Sequence, residues 1–247
     1  MSSEFELGRE EKLAILLSRH VHDWETSACG ALSFIPATAM LLARELHAPN
    51  VEIIILGSKE YSPFVSGKDF HFLAQRGEMD LFFISAIEID KHGNFNLHVI
   101  GDRDEPDVLM PGQYGTGLLY YAVPRIVMFR TEHTTRTFVE QANYISGAGT
   151  SPEGVRRRTR EVTVVTPMAQ LRFNMETRLM ELASVHEGFS ADQVTENTGF
   201  DLGVDGPVET TPPITEDEVN ALRTVVKAHM IESETYPDLA ATLIRDV

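Results

Sequence analysis

Cysteine is nearly absent from this 247-residue chain, where Cys29 stands alone. A lone thiol excludes an intrachain disulfide and every cysteine-based zinc ribbon. Cations are scarce as well: 21 Lys and Arg against 37 Asp and Glu give a formal charge of −16. Such a field repels phosphate backbones and excludes nucleic acid as a default partner, although a local basic patch could still hold an anionic cofactor. No apolar run approaches the ~18 residues of a membrane span. The acidic start, Met1-Ser-Ser-Glu-Phe-Glu-Leu-Gly, lacks the basic and apolar regions of a secretory leader. A cytoplasmic protein away from the membrane is therefore expected. Also missing are the G-x-S-x-G nucleophile elbow and the G-x-x-x-x-G-K-[ST] phosphate loop.

What is present is an ordinary globular mixture, 43% hydrophobic and 8% aromatic, without repeats or a linker long enough to divide it. One domain over residues 1–247 is expected. Residues 9–20 place Leu13, Leu16, Leu17 and His20 at helical spacing behind acids suited to a helix start. Residues 36–47 read as a helix opening on Pro36 and closed by Pro49. Four apolar runs, at 51–56, 81–86, 126–129 and 162–165, have the look of strands buried on both faces. Short buried strands alternating with helices predict an α/β fold with a largely parallel sheet. Residues 201–215 read as a surface connection, and the capping box Thr215-Glu-Asp-Glu218 predicts a final helix over about 216–230.

Several groups invite a chemical reading. Gly112-Gln113-Tyr114-Gly115-Thr-Gly117 could bring backbone N–H groups close to a carbonyl oxygen or phosphate, though a turn before a following strand is the plainer reading. His20 and His22 face apart on a helix and have no recognisable third ligand, so no metal is expected. Arg156, Arg157, Arg158 and Arg160 could grip a nucleotide phosphate or an acidic partner, or form a solvated loop. Glu88 follows an apolar strand, where open α/β sheets bind ligands, yet it could equally hold the next turn through backbone N–H groups.

Read in order, several segments together resemble the β subunit of class I CoA-transferases, most closely the glutaconate CoA-transferase branch. They are His47-Ala-Pro-Asn50, Arg76-Gly-Glu-Met-Asp80, Ile89-Asp-Lys-His-Gly-Asn-Phe-Asn96, Gly101-Asp102, Pro124-Arg-Ile-Val-Met128 and Glu196-Asn-Thr-Gly-Phe-Asp-Leu202. The resemblance spans roughly residues 10 to 230. It implies a three-layer, open α/β/α sheet and an α-subunit-like partner in a heterodimer or heterotetramer. An acyl-CoA thioester would be the substrate, with no permanently bound cofactor. In true transferases a β-subunit glutamate attacks the thioester, giving an acyl-glutamyl anhydride and then a glutamyl-CoA thioester.

The departures from that pattern are informative. Counted from Ala48-Pro49-Asn50, the family's nucleophile position is Leu56, and leucine forms no anhydride. Glu60, four residues on, takes the role only if the alignment is gapped in this turn. The family's G-x-G-G loop stands as Gly112-Gln113-Tyr114-Gly115, and Tyr114 carries a Cβ that disfavours positive φ, which predicts an altered loop path. Glu88 occupies a position where many transferases carry glutamine. The resemblance therefore points to a divergent member like the β subunits that open steroid-derived rings or decarboxylate a methylglutaconyl-type CoA. Hydrolysis or C–C cleavage is expected, with Glu88 and the Gly112–Gly117 loop bordering the acyl pocket. Thioester exchange through Glu60, or a non-catalytic subunit completing the partner's site, are the alternatives.

Overall fold

A computed structural model describes residues 6–246; Val247 and Met1–Phe5, the opening of the stretch read for a leader, lie outside the described residues. The first half runs α1 (Arg9–Ser18), β1 (Thr26–Cys29), α2 (Phe34–Leu46), β2 (Glu52–Ile55), α3 (Gly67–Arg76) and β3 (Leu81–Ser85). Short strands β4 (Glu88–Asp90), β5 (Phe95–Asn96), β6 (Val99–Gly101) and β7 (Pro106–Leu109) follow, then α4 (Thr116–Ala122), β8 (Arg125–Phe129) and β9 (Phe138–Val139). The rest comprises β10 (Glu161–Val165), β11 (Ala169–Asn174), β12 (Leu179–Val185), α5 (Ala191–Glu196) and β13 (Glu209–Thr210). The chain closes with α6 (Glu216–Ala221), a π-helical turn (Leu222–Val226), α7 (Lys227–Glu232) and α8 (Pro237–Leu243).

Eight strands form one sheet in the order β13-β12-β11-β10-β8-β3-β1-β2. Neighbours among β2, β1, β3, β8 and β10 are parallel, while β11 pairs antiparallel with both β10 and β12. Successive strand residues point to opposite faces, so an all-apolar strand needs cover on both. Ile53, Ile55, Leu81, Phe83, Val127 and Phe129 pack into a cluster with α1, α2 and the C-terminal helices. Ile54, Phe82, Ile84, Ile126 and Met128 pack the other way, against Phe70 and Ala74 of α3 and Leu119 and Tyr120 of α4. The result is the expected α/β/α sandwich.

Local outcomes differ from expectation in places. The second helix begins at Phe34, so Pro36 is its third residue; it still lies in the first turn, where its missing N–H is not needed. Thr215 caps α6 as its sequence predicts: Glu218 N–H donates to Thr215 Oγ1 at 3.3 Å, and Thr215 N–H to Glu218 Oε2 at 2.8 Å. The Gly112 loop leads into α4, not into a strand, which corrects the plainer reading of that segment. The hairpin β11–β12 and helix α8 go beyond what the sequence patterns predict. No helix among the described residues is long and apolar enough to cross a membrane.

Two of the family-like segments act as knots. Asp90 Oδ1 accepts from the His92 and Asn94 N–H groups at 2.9 and 3.0 Å, which closes the turn between β4 and β5. Gly199 donates its N–H to Phe138 O at 2.7 Å, and any Cβ there would stand 2.5 Å from that same oxygen.

Candidate active site

The carboxyl ends of β1, β2 and β3 open onto a cavity of about 530 Å³, the place where open α/β sheets bind ligands. Three loops frame it: Gly30–Ser33 after β1, Leu56 and Gly57 after β2, and Gly112–Tyr114 before α4. Phe70, Phe82, Ile84, Leu97 and Leu119 line its apolar wall. Two non-glycine residues on the rim, Leu32 (φ 59) and Tyr114 (φ 44), occupy the left-handed region. Such a conformation costs on the order of 1–2 kcal/mol per residue and gathers where a site over-determines its backbone.

Tyr114 thus adopts the positive φ that its Cβ disfavours, and the expected change of loop path on that ground is not what the structure shows. The surroundings hold the conformation in place: His71 Nε2 donates to Tyr114 O at 3.0 Å, and the two rings lie 5.3 Å apart. Gly112 (φ 115) and Gly115 (φ 72) supply the remaining left-handed positions. Among the described residues, the N–H groups of Gly112, Gln113, Tyr114 and Gly115 meet no acceptor, so they are free to serve an oxyanion.

Leu56, expected from the sequence to be the family's nucleophile position, lines this cavity just past the end of β2. The other lining side chains include no Asp, Glu, His, Lys, Arg or Cys; hydroxyls of Ser33, Ser85, Tyr114 and Thr116 and the Gln113 carboxamide are the polar groups. Cys29, just beneath the first loop, is fully buried, and burial pushes its thiol pKa up, so it is an inert packing group.

Glu60 and Glu88 are not among the lining residues. Gly57 (φ 83) turns the chain after β2, and Glu60 emerges exposed beside His229, 3.7 Å from its Nε2. There Tyr61 OH bonds His229 Nε2 and accepts from Arg44 Nη2 at 2.8 Å. Glu88 is 3% exposed and belongs to a separate three-stranded sheet, β5-β4-β9. Its Oε2 accepts from Asn96 Nδ2 at 2.7 Å and Asn143 N–H at 2.9 Å, and its Oε1 accepts from Asn143 Nδ2. That is how a carboxylate ties strands together. Glu88 is thus placed by the second sheet, and it does not line the cavity that the glycine loop frames in this chain.

The arginine run is also explained by position. Arg160 immediately precedes β10, at the amino ends of the parallel strands, opposite the end that carries the cavity. Arg157 is committed internally: its guanidinium lies 4.4 Å from the Tyr120 ring centre, and Nη2 donates to Tyr120 O at 2.6 Å. His20 and His22 lie before β1, at the amino ends as well. Burial and the nearby Arg125 guanidinium push the His20 pKa down to about 4. No group of three or more His, Cys, Asp or Glu among the described residues could hold a metal ion.

Sequence reasoning located Leu56 and the glycine loop but missed Gly30–Ser33 and Ser85. The available signal was position alone, directly after a strand end.

The coenzyme A transferase family matches residues 19–197. The chain is 28% identical over 224 residues to the β subunit of the 3-oxoadipate CoA-transferase of Pseudomonas knackmussii, covering 78% of this chain and 86% of that one. To the β subunit of the glutaconate CoA-transferase of Acidaminococcus fermentans it is 28% identical over 236 residues, 83% of this chain and 87% of the other. Over 147 residues, 58% of each chain, it is 29% identical to the cholesterol ring-cleaving hydrolase IpdB subunit of Rhodococcus jostii. Its fold matches the decarboxylase AibA/AibB with a TM-score of 0.76 at 24% identity, covering 88% of this chain and 94% of that one.

Proposed function

The chain belongs to the coenzyme A transferase family, and from that premise we propose that it is the single-domain β subunit of a heteromeric enzyme that hydrolyses an acyl-CoA or cleaves a C–C bond in its acyl group. The observation that carries this reading is Leu56. By the sequence pattern it is the family's nucleophile position; it lines the strand-end cavity, and among the described residues no carboxylate lines that cavity to replace it.

The roles follow from the geometry. The Gly112–Gly115 N–H groups, unpaired within the described residues, would stabilise negative charge developing on the thioester oxygen or on an enolate. Removing one such donor typically costs ~10²–10³-fold in kcat. The apolar wall would exclude water from the acyl group. Acid–base groups come from an α-subunit-like partner, as expected of relatives whose names mark them as subunits. The same partner would supply the cations for the CoA phosphates, because this chain carries a charge of −16 and no cation among the described residues lines the cavity. Glu88 is assigned to support and Glu60 to the outer surface of the turn. A cytoplasmic location fits acyl-CoA chemistry and stays part of the proposal.

Borohydride separates this reading from thioester exchange. A transferase incubated with acyl-CoA accumulates a glutamyl-CoA thioester that borohydride reduces, with loss of activity. The co-purified complex of this chain should instead keep its activity after acyl-CoA and borohydride, and should not exchange labelled CoA into acyl-CoA. Inactivation with reduction mapped to Glu60 would establish exchange as the true reaction.

A further inference from the structure

Between Leu97 and Gly112, both of which line the cavity, the chain leaves the body as a two-stranded ribbon. Strands β6 and β7 pair only with each other, Val99 opposite Leu109 and Ile100 opposite Val108. The base of the ribbon is held. Val99 is buried, Gly101 N–H donates to Asn143 Oδ1 at 3.2 Å, and Met110 N–H donates to His98 O at 2.8 Å. Strand β7 is not held in this way: among the described residues, Pro106–Leu109 make no backbone hydrogen bond outside the ribbon.

Consecutive strand residues point to opposite faces. Leu109 is 64% exposed and Val108 46%, so β7 is bare on both of its faces. A two-stranded ribbon standing alone in water is marginally stable at best, and an open sheet edge is ordinarily covered or blunted. Met110 and Tyr114 are exposed as well, so bare apolar side chains continue along the chain from the ribbon to the cavity rim. Apolar groups gathered in this way mark sites of protein association. The far end of the ribbon is acidic, with Asp102, Asp104, Glu105 and Asp107 exposed against the single cation Arg103.

Resting on the heteromeric reading above, we propose that the β6–β7 ribbon is the arm that docks the α-subunit-like partner. Val108 and Leu109 seat against an apolar surface of that chain, and the acidic end faces cations beside it. Charge argues against a second copy of this chain as the occupant. A molecule of formal charge −16 would bring like charge to the acidic end, and such a juxtaposition is costly. Continuity points the same way: the ribbon starts and ends next to cavity residues, so a chain seated on it reaches the site it completes.

The test uses the heteromer obtained by co-expression with the α-subunit-like partner, and reads assembly by sedimentation across a dilution series. Val108→Asp and Leu109→Asp should each weaken assembly at least about tenfold. Leu109→Thr, which keeps strand propensity, should weaken it at least about threefold. Both side chains are exposed, so the variant chains should melt within about 2 °C of wild type. Ile231→Asp, at an exposed apolar position on α7, should leave assembly unchanged. Amide exchange over residues 99–110 should slow at least about tenfold in the heteromer relative to this chain alone. Asp104→Asn with Glu105→Gln should slow association at low salt at least about threefold and flatten its salt dependence. Aspartate variants that assemble like wild type, or a ribbon that exchanges as fast in the heteromer as in the lone chain, would overturn the docking role. An association rate unmoved by the charge-removing pair would overturn the contact with cations. Self-association of the lone chain that is lost in Val108→Asp and Leu109→Asp would make a second copy the occupant and overturn the choice of partner. Failure of the wild-type chain to form any heteromer would instead sink the heteromeric reading itself, and this inference with it.

Discussion

At Glu88, a substitution that keeps the side chain's shape and removes its charge separates support from catalysis. The carboxylate accepts from three donors, Asn96 Nδ2, Asn143 N–H and Asn143 Nδ2. Glutamine offers one oxygen and an amide, so in Glu88→Gln at least one donor faces another donor. A loss of ~1–3 kcal/mol in stability is expected, with kcat of the assembled complex within about threefold of wild type. Denaturant unfolding and steady-state kinetics check the two halves; a kcat loss of ~10²-fold or more would make Glu88 an acid–base group. The same residue shows why part of the site was hidden in the sequence. Glu88 lies three residues past Ser85, but β4 enters a different sheet, and only the fold reveals that. Leu56 was legible because it ends a buried apolar run. Gly112–Gly115 was legible through its glycines.

The element scale carries a simpler prediction at α6. Thr215 and Glu218 satisfy each other's backbone N–H groups at the helix start. Thr215→Ala removes one acceptor and should lower stability by ~1 kcal/mol, read as a shift in the denaturant midpoint at unchanged m-value. An unaltered midpoint would mean that packing alone defines this terminus. The capping box was readable because it is local, and the parallel strands were readable because both their faces are buried, leaving unbroken apolar runs. By contrast β11 alternates: Ala169, Leu171 and Phe173 are buried while Arg172 is exposed, so half its residues dilute the hydrophobic signal. The π-helical turn has no local mark either; it places Leu222 and Val226 in the same cluster as Met230, a demand of tertiary packing. Helix α8 did leave a sign, Pro237 at its first position, behind Tyr236 in the left-handed region.

For the whole molecule, two buried histidines join the end of the sheet to the loops around it and, together with His20, make stability depend on pH. His133 bonds Thr166 Oγ1 at 2.8 Å and Thr198 Oγ1 at 3.0 Å, and His186 bonds Thr211 Oγ1 at 2.8 Å and Thr166 O at 3.0 Å. Burial pushes the pKa of each down to about 4, helped for His133 by His186 and for His186 by Lys12. Unfolded, each would titrate near its ordinary value of about 6.5. Between those values the unfolded chain binds more protons than the folded one, so stability is fully present above pH ~6.5 and falls as pH drops toward ~4. The loss is on the order of 3 kcal/mol per histidine across that window. Carboxylates act later on the same descent: although burial opposes it, the Arg223 guanidinium holds Glu11 below its ordinary range, and that contribution is lost only on further acidification. Urea unfolding from pH 7.5 to 5 should therefore show stability that is level down to about pH 6.5 and declines below it, before the acids titrate. His133→Gln should lower stability at pH 7.5, where its hydrogen bonds are lost, yet flatten the decline toward pH 5. An equal slope in wild type and variant would show that His133 is not one of the groups whose protonation loosens the fold.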